Sequence, residues 1–207
     1  MDSYNSIIYG NFLQPITCAV YYLVRRDRES VDWKTNEGDL DWILSGTLMT
    51  VAMFECALRW THVHRRATSK EEGLYLYEEI RAANPKTLPD VREIFVLRNA
   101  IAHGHVWDVS IPKSPIARVM ATVLRAKQDK LFQRCVDPAT QLTTSGLHVI
   151  PTLMDRQDFK RVLQMTVDTF TGLIALDCLL PQALRNAAVW PDGKGERLTL
   201  GDLSARI

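Results

Sequence analysis

The chain has 207 residues, 46% hydrophobic and 24% charged, with 25 Lys and Arg against 24 Asp and Glu. That length suits one domain of generous size better than two very small ones, and the composition excludes an intrinsically disordered chain. A formal net charge of +1 excludes attachment to nucleic acid by bulk charge, so any RNA or DNA contact has to come from a local basic patch.

Residues Met1 to Ser6 lack the basic, apolar and small-residue segments of a secretory signal. Helical spacing then runs from Ser6 to Arg28 through Ile7, Ile8, Phe12, Ile16, Val20 and Leu23, with Pro15 kinking or dividing it. It closes in a basic cluster, Arg25, Arg26 and Arg28. A polar stretch ending in Asn36-Glu37-Gly38 reads as a loop. A long helix is predicted from Asp39 to Arg66, apolar around almost its whole circumference and therefore central and buried. Its end, His64-Arg65-Arg66, puts positive charge at the negative pole of the helix dipole.

Ser69-Lys70-Glu71-Glu72 predicts an N-cap with acids in the first turn of a short helix to Ala83, stopped by Asn84-Pro85. Pro89-Asp90 opens another helix, apolar at Val91, Ile94, Phe95, Leu97 and Ile101 and closed at His103-Gly104. From Val106 the pattern changes to period two, predicting strands at 106–111, 116–124 and 146–151, a β-hairpin or meander set between helices. Asp155 or a neighbour caps a final long helix to Ala188, striped by Phe159, Val162, Leu163, Val167, Phe170 and Ile174, with Pro181 as a point of division. The tail after Trp190, rich in Gly, Asp and Lys, is expected to be loosely ordered.

The expected architecture is mainly α: a single domain over 1–207, with a β-rich insertion at 106–152 set between helices. The most apolar runs, 47–58 and 162–180, carry Glu55 in one and Asp168 and Asp177 in the other, so neither reads as a membrane span. Cys18, Cys56, Cys135 and Cys178 are widely spaced among apolar neighbours, as reduced core thiols of a cytoplasmic protein would be.

The sharpest chemical feature is Arg98-Asn99-Ala100-Ile101-Ala102-His103-Gly104 at the end of an apolar helix. Arg98 shares the face of Ile94 and Ile101, while Asn99 and His103, four apart, share a neighbouring face. Polar groups so placed must pair with other groups or line a cleft, because burying them unpaired costs several kcal/mol. Glu55, isolated in the apolar long helix, needs a cation; Arg98 and its own neighbour Arg59 are the candidates, with a structural anchor as the bland reading.

Closing an apolar helix of a helical bundle, Arg98-Asn99-x-x-x-His103 resembles the signature of the HEPN superfamily, the higher eukaryotes and prokaryotes nucleotide-binding domains. Leu147-His148-Val149-Ile150-Pro151-Thr152 also resembles a segment of stand-alone prokaryotic and plasmid-borne members. The resemblance covers roughly residues 37–188. It implies a HEPN-like antiparallel bundle and a homodimer whose motif helices face each other across a shared cleft. It further implies a metal-independent endoribonuclease, without cofactor, of a toxin–antitoxin, abortive-infection or other prokaryotic defence system, with an antitoxin protein as a possible partner. Carried over to this chain, Arg98 and His103 are the catalytic pair and Asn99 orients the site; from their own positions in the sequence, Glu55 and His105 are read as supporting groups. An unperturbed His titrates near 6.5 and can move the proton of a ribose hydroxyl, while a permanently charged Arg can stabilise the negative charge of the transition state. Attack by the neighbouring 2′-hydroxyl restricts such an enzyme to RNA.

Two other readings stand beside it: a non-catalytic interaction module whose motif holds a partner or the dimer, and a nucleotide-binding protein. His62-x-His64 and His103-x-His105 have the residue type of a metal site, but helical residues two apart point about 200° apart, so no metal site is expected. His105 is either an auxiliary group or a strand-end residue facing water. Two basic bands, one at Arg25, Arg26 and Arg28 and one at Arg118, Arg125, Lys127, Lys130 and Arg134, are either solvated faces or RNA contacts. The tryptophans at 33, 42, 60, 107 and 190 are assigned to core packing or a subunit interface rather than base stacking.

Overall fold

The computed structural model describes residues 12–28, 37–64, 73–103, 107–110, 120–124, 130–178 and 188–207. In chain order its helices are α1 (Gln14–Arg28), α2 (Glu37–His64), α3 (Gly73–Ala83), α4 (Arg92–His103), α5 (Lys130–Cys135), α6 (Arg156–Ala175) and α7 (Leu200–Arg206). The strands are β1 (Trp107–Ser110), β2 (Met120–Leu124), β3 (Ala188–Val189) and β4 (Arg197–Leu198). The architecture is mainly helical, as expected. Two compact units divide the chain, one of residues 1–91 with 155–207 and one of 92–154.

In the first unit α2 packs on α1, α3 and α6. Being met on three sides, it buries Ile43, Val51, Met53, Phe54, Ala57 and Leu58, which explains why apolar residues cover most of its surface. Phe54 sits edge-on to Tyr77 of α3, centroids 6.1 Å apart, and 5.6 Å from Phe170 of α6. Arg156 at the start of α6 donates from Nη2 and Nε to Asp39 Oδ2 near the start of α2, at 2.7 and 3.0 Å. By length and composition alone, Asp39–Arg59 is apolar enough to cross a membrane.

Asp155 caps α6 as its sequence position predicts. Its Oδ1 accepts from Gln157 N and Asp158 N, and Asp158 Oδ2 accepts from Asp155 N, so the first-turn donors are satisfied reciprocally. The buried face of α6 runs through Phe159, Val162, Leu163, Thr166, Phe170 and Leu173, while Ile174 is exposed. The helix ends at Ala175, well short of the expected Ala188, and residues 179–187 lie outside those described. Asp177 takes the left-handed conformation, φ 53°, so that Cys178 N reaches Leu173 O at 2.9 Å and Asp177 N reaches Ile174 O at 3.0 Å. That double closure, with Cys178 and Leu173 both buried, is a Schellman stop with Asp in the usual glycine position.

The expectation of a loosely ordered tail also needs correction. Residues 188–207 form the antiparallel pair β3–β4 and then α7, which packs on α6 and α1. Thr199 and Asp202 make a reciprocal cap for α7. Trp190, buried in spite of its polar neighbours, lies edge-on to Tyr21 of α1 at 5.3 Å, with the Arg206 guanidinium 4.6 Å over its ring. One tryptophan and a terminal helix with its own cap outweigh the local glycines.

In the second unit α4 packs on α5. β1 and β2 pair antiparallel, Trp107 opposite Leu124 and Ser110 opposite Met120, with an irregularity between Asp108 and Val109. The third expected strand, 146–151, is not one. Leu147 and Val149 are buried, as period two requires, but among the described residues the ladder there is a single bridge, Leu142 to His148, and Pro151–Leu153 turns into a 3-10 helix. Gln141 at φ 57° and Gly146 at φ 79° fold the facing segment too tightly to present a strand edge. Helix α5 is a further departure, since its residues lay within the region read as β.

Candidate functional site

Helix α4 carries the motif. Glu93 stands in its first turn, where the helix dipole favours a carboxylate. Its side chain is buried, and both carboxylate oxygens accept from Ser145 N, at 3.2 and 3.1 Å. Around that turn Thr143 Oγ1 accepts from Leu147 N at 3.0 Å, so the 143–147 turn is held on α4 through backbone donors. The sequence reading passed over Glu93, although a carboxylate opening an otherwise apolar helix was a signal of the same kind as Glu55.

Along α4, Ile94, Phe95, Val96, Leu97 and Ala100 are all buried. At about 100° per residue these positions occupy most of the helix circumference. What remains at the C-terminal end is an arc of about 140° that holds, in order, Arg98, Ala102, Asn99 and His103. Arg98 and Asn99 are half-buried and Ala102 is exposed. Between the Arg98 and Asn99 positions the helix presents only the methyl of Ala102.

Arg98 lies with its guanidinium carbon 6.0 Å from the centroid of Phe95, one turn back on the same helix. The ring faces a cation with its negative quadrupole, which restrains the long side chain, and the Arg98 Nε is buried. His103 is the last residue of α4, one turn beyond Asn99; its side chain, and all of Gly104 and His105, lie outside the described residues. The helix therefore places Arg98, Asn99 and His103 on one arc, as the i, i+1, i+5 spacing predicts.

Glu55, offered as support for Arg98, belongs to the other compact unit. Of the two cations considered for it, Arg59 is one that it meets, Nη2 to Oε1 3.3 Å, as an i, i+4 pair with Arg59 well exposed. That geometry fits the structural reading of Glu55, and such exposed pairs contribute only about 0.3–0.5 kcal/mol.

In the second basic band, Lys130 and Arg134 stand four apart and exposed on α5, whereas Arg118, Arg125 and Lys127 lie outside the described residues. Of the first, Arg25 is exposed on α1, which also carries Arg26 and Arg28. His62 and His64 sit in the last turn of α2, two residues apart. All four cysteines are free thiols, Cys135 and Cys178 buried and Cys18 and Cys56 half-buried; burial pushes the Cys18 thiol up from its ordinary value. No family model matches the chain, and neither a curated protein nor a solved structure matches it.

Proposed function

We propose that this protein is a metal-independent endoribonuclease of the HEPN type, acting as a homodimer in a prokaryotic toxin–antitoxin or defence system in the cytoplasm. One observation carries the reading: half-buried Arg98 and Asn99, with His103 one turn beyond Asn99, stand at the C-terminal end of a helix that is otherwise buried nearly all round. A side chain needed only for solubility has no reason to be an Arg parked on Phe95 beside an Asn and one turn from a His.

In this mechanism His103 takes the proton from a ribose 2′-hydroxyl as that oxygen attacks the adjacent phosphorus. The P–O2′ bond forms, the P–O5′ bond breaks, and the leaving O5′ receives a proton, with a 2′,3′-cyclic phosphate left on the upstream fragment. Arg98 offsets the charge that accumulates on the non-bridging oxygens, and Asn99 orients the phosphate or the imidazole. The partner copy supplies a second arc across the cleft, and an antitoxin protein would block it.

The test is cleavage of total tRNA and a long mRNA by the purified protein in EDTA, alongside His103→Ala. Cleavage that survives chelation and disappears in the variant is expected. Intact RNA with the parent protein, or equal cleavage by the variant, defeats the reading.

The non-catalytic reading has one observation in its favour, the packing of Arg98 on Phe95, which a purely structural residue would also show. On that reading Arg98→Ala lowers the melting temperature and there is no nuclease activity to lose.

A further inference from the structure

The charge on α5 works against the helix that carries it. Lys130 and Arg134 stand four residues apart on one exposed face, with the neutral, exposed Gln133 beside them. Like charges at that spacing repel and weaken a helix. No acidic side chain stands in the first turn to offset them. A face needed only for solubility is better served by mixed signs, as Glu55 and Arg59 show on α2. Neither Lys130 nor Arg134 has an ion pair or hydrogen bond among the described residues, while Phe132 and Cys135 fix the opposite side of α5 by burial.

Hydrogen bonds within the same compact unit tie this helix to the candidate site. Cys135 O, next to Arg134, accepts from Thr144 N at 2.9 Å, and the following donor, Ser145 N, is the one held by Glu93 in the first turn of α4. Helix α5 also packs on α4 itself. Arg98 is five residues beyond Glu93, about 7.5 Å of helix rise. A strand with its scissile phosphate at Arg98 and Asn99 therefore needs only a few more nucleotides to reach α5. The Lys130–Arg134 separation, about 6 Å of rise, is close to the step between successive phosphates of a single strand. With a net charge of +1 the whole chain attracts RNA little, so a backbone contact has to be local.

We infer that Lys130 and Arg134 form a phosphate-binding edge that holds the RNA backbone a few nucleotides from the scissile bond. The edge reads no base. It favours strands long enough to span both places, and it acts on binding rather than on the chemical step. The inference rests on the ribonuclease reading for its substrate, so binding and cleavage are measured separately.

The binding probe is a fluorescein-labelled oligouridine, followed by fluorescence anisotropy across a salt series. The full chain carries His103→Ala, which keeps the probe intact. Lys130→Gln and Arg134→Gln change exposed side chains and should fold normally by circular dichroism. Each should weaken binding and reduce the slope of log affinity against log salt by about 0.7, with the two effects additive. Lys194→Gln, an exposed cation of the other unit, should leave the slope unchanged. In the chain with His103 intact, the double variant should raise KM for a long RNA about tenfold or more and keep kcat. Its cleavage of a dinucleotide should match the parent's.

No binding of the oligouridine overturns the inference, and so do slopes that neither substitution changes. An equal fall in slope with Lys194→Gln, or weaker binding at an unchanged slope, overturns it too. Reduced slopes without any cleavage by the parent sustain the edge and defeat the catalytic reading; cleavage with unchanged slopes does the reverse.

Discussion

Gly46 of α2 lies directly beneath the ring of Phe159 in α6: a Cβ added there would stand 2.8 Å from the ring's Cε1. The absence of a side chain at 46 therefore sets how closely the two central helices approach. Phe159 is fully buried, so the ring cannot swing into solvent to make room. Gly46→Ala gains about 1 kcal/mol of helix propensity but overpacks the contact by about 1–3 kcal/mol, for a net loss of up to about 2 kcal/mol. Urea denaturation should show this as a lower midpoint, with the loss recovered in part when Phe159→Leu is added. A midpoint above the parent's would mean that the helices separate freely here.

Thr47, the next residue, is fully buried, and its hydroxyl has no partner among the described residues. Thr50 and Thr17, also buried, return their hydroxyls to the carbonyls four residues back, at 2.8 and 2.7 Å. Thr47→Val keeps the shape and removes an unsatisfied oxygen, so it should raise stability by about 1 kcal/mol, whereas Thr50→Val should not. Thermal melts of the two variants side by side make the comparison.

Glu93 and the 143–147 turn should be lost together. In Glu93→Ala the Ser145 N–H gives up both carboxylate oxygens, at a cost of about 1–3 kcal/mol for a charged hydrogen bond. Amide exchange at Ser145 and Leu147 should accelerate more than at Val162 or Leu163 in α6. Uniform acceleration throughout would instead indicate global destabilisation.

Burial of the Tyr77 ring pushes its phenol from the ordinary 10.0 up to about 12, against a lowering contribution from Thr169 and Arg81. The hydroxyl donates to Pro89 O at 2.7 Å, which requires the proton. The native state thus keeps a proton that the unfolded chain releases, and stability is intact below about pH 10 and falls as the pH climbs to about 12. Tyr77→Phe should flatten that alkaline limb while losing about 1 kcal/mol at neutral pH. Urea midpoints at neutral and alkaline pH read both effects.

For Arg98 the prediction separates charge from geometry. If two guanidinium donors reach the phosphate, Arg98→Lys should lose most of the RNA cleavage that Arg98→Ala loses, about 10²–10³-fold in kcat, while melting closer to the parent. Cleavage retained by Arg98→Lys would reduce its role to that of a point charge.

The sequence was informative wherever the interaction is local. The 3.6-residue spacing of Ile43, Val51, Phe54 and Leu58, the Asp155 cap and the common arc of Arg98, Asn99 and His103 all follow from residues within a few turns of one another. The strand expected at 146–151 failed because a strand needs a neighbour, and the segment facing it is closed into turns by Gln141 and Gly146. The tail was misread for the same reason: Gly193 and Gly195 looked like looseness until Trp190 found Tyr21, about 170 residues away in sequence.

By itself the sequence determined α1 to α4 and the start of α6, their apolar faces and the candidate chemistry at the end of α4, because backbone periodicity and capping are decided within a turn or two. Only the tertiary structure decided that Glu93 holds the 143–147 turn and that Tyr22 and Trp42 stack in the open. Those pairings depend on which helix faces fall together. That is settled by packing between residues distant in the chain, which no local pattern records.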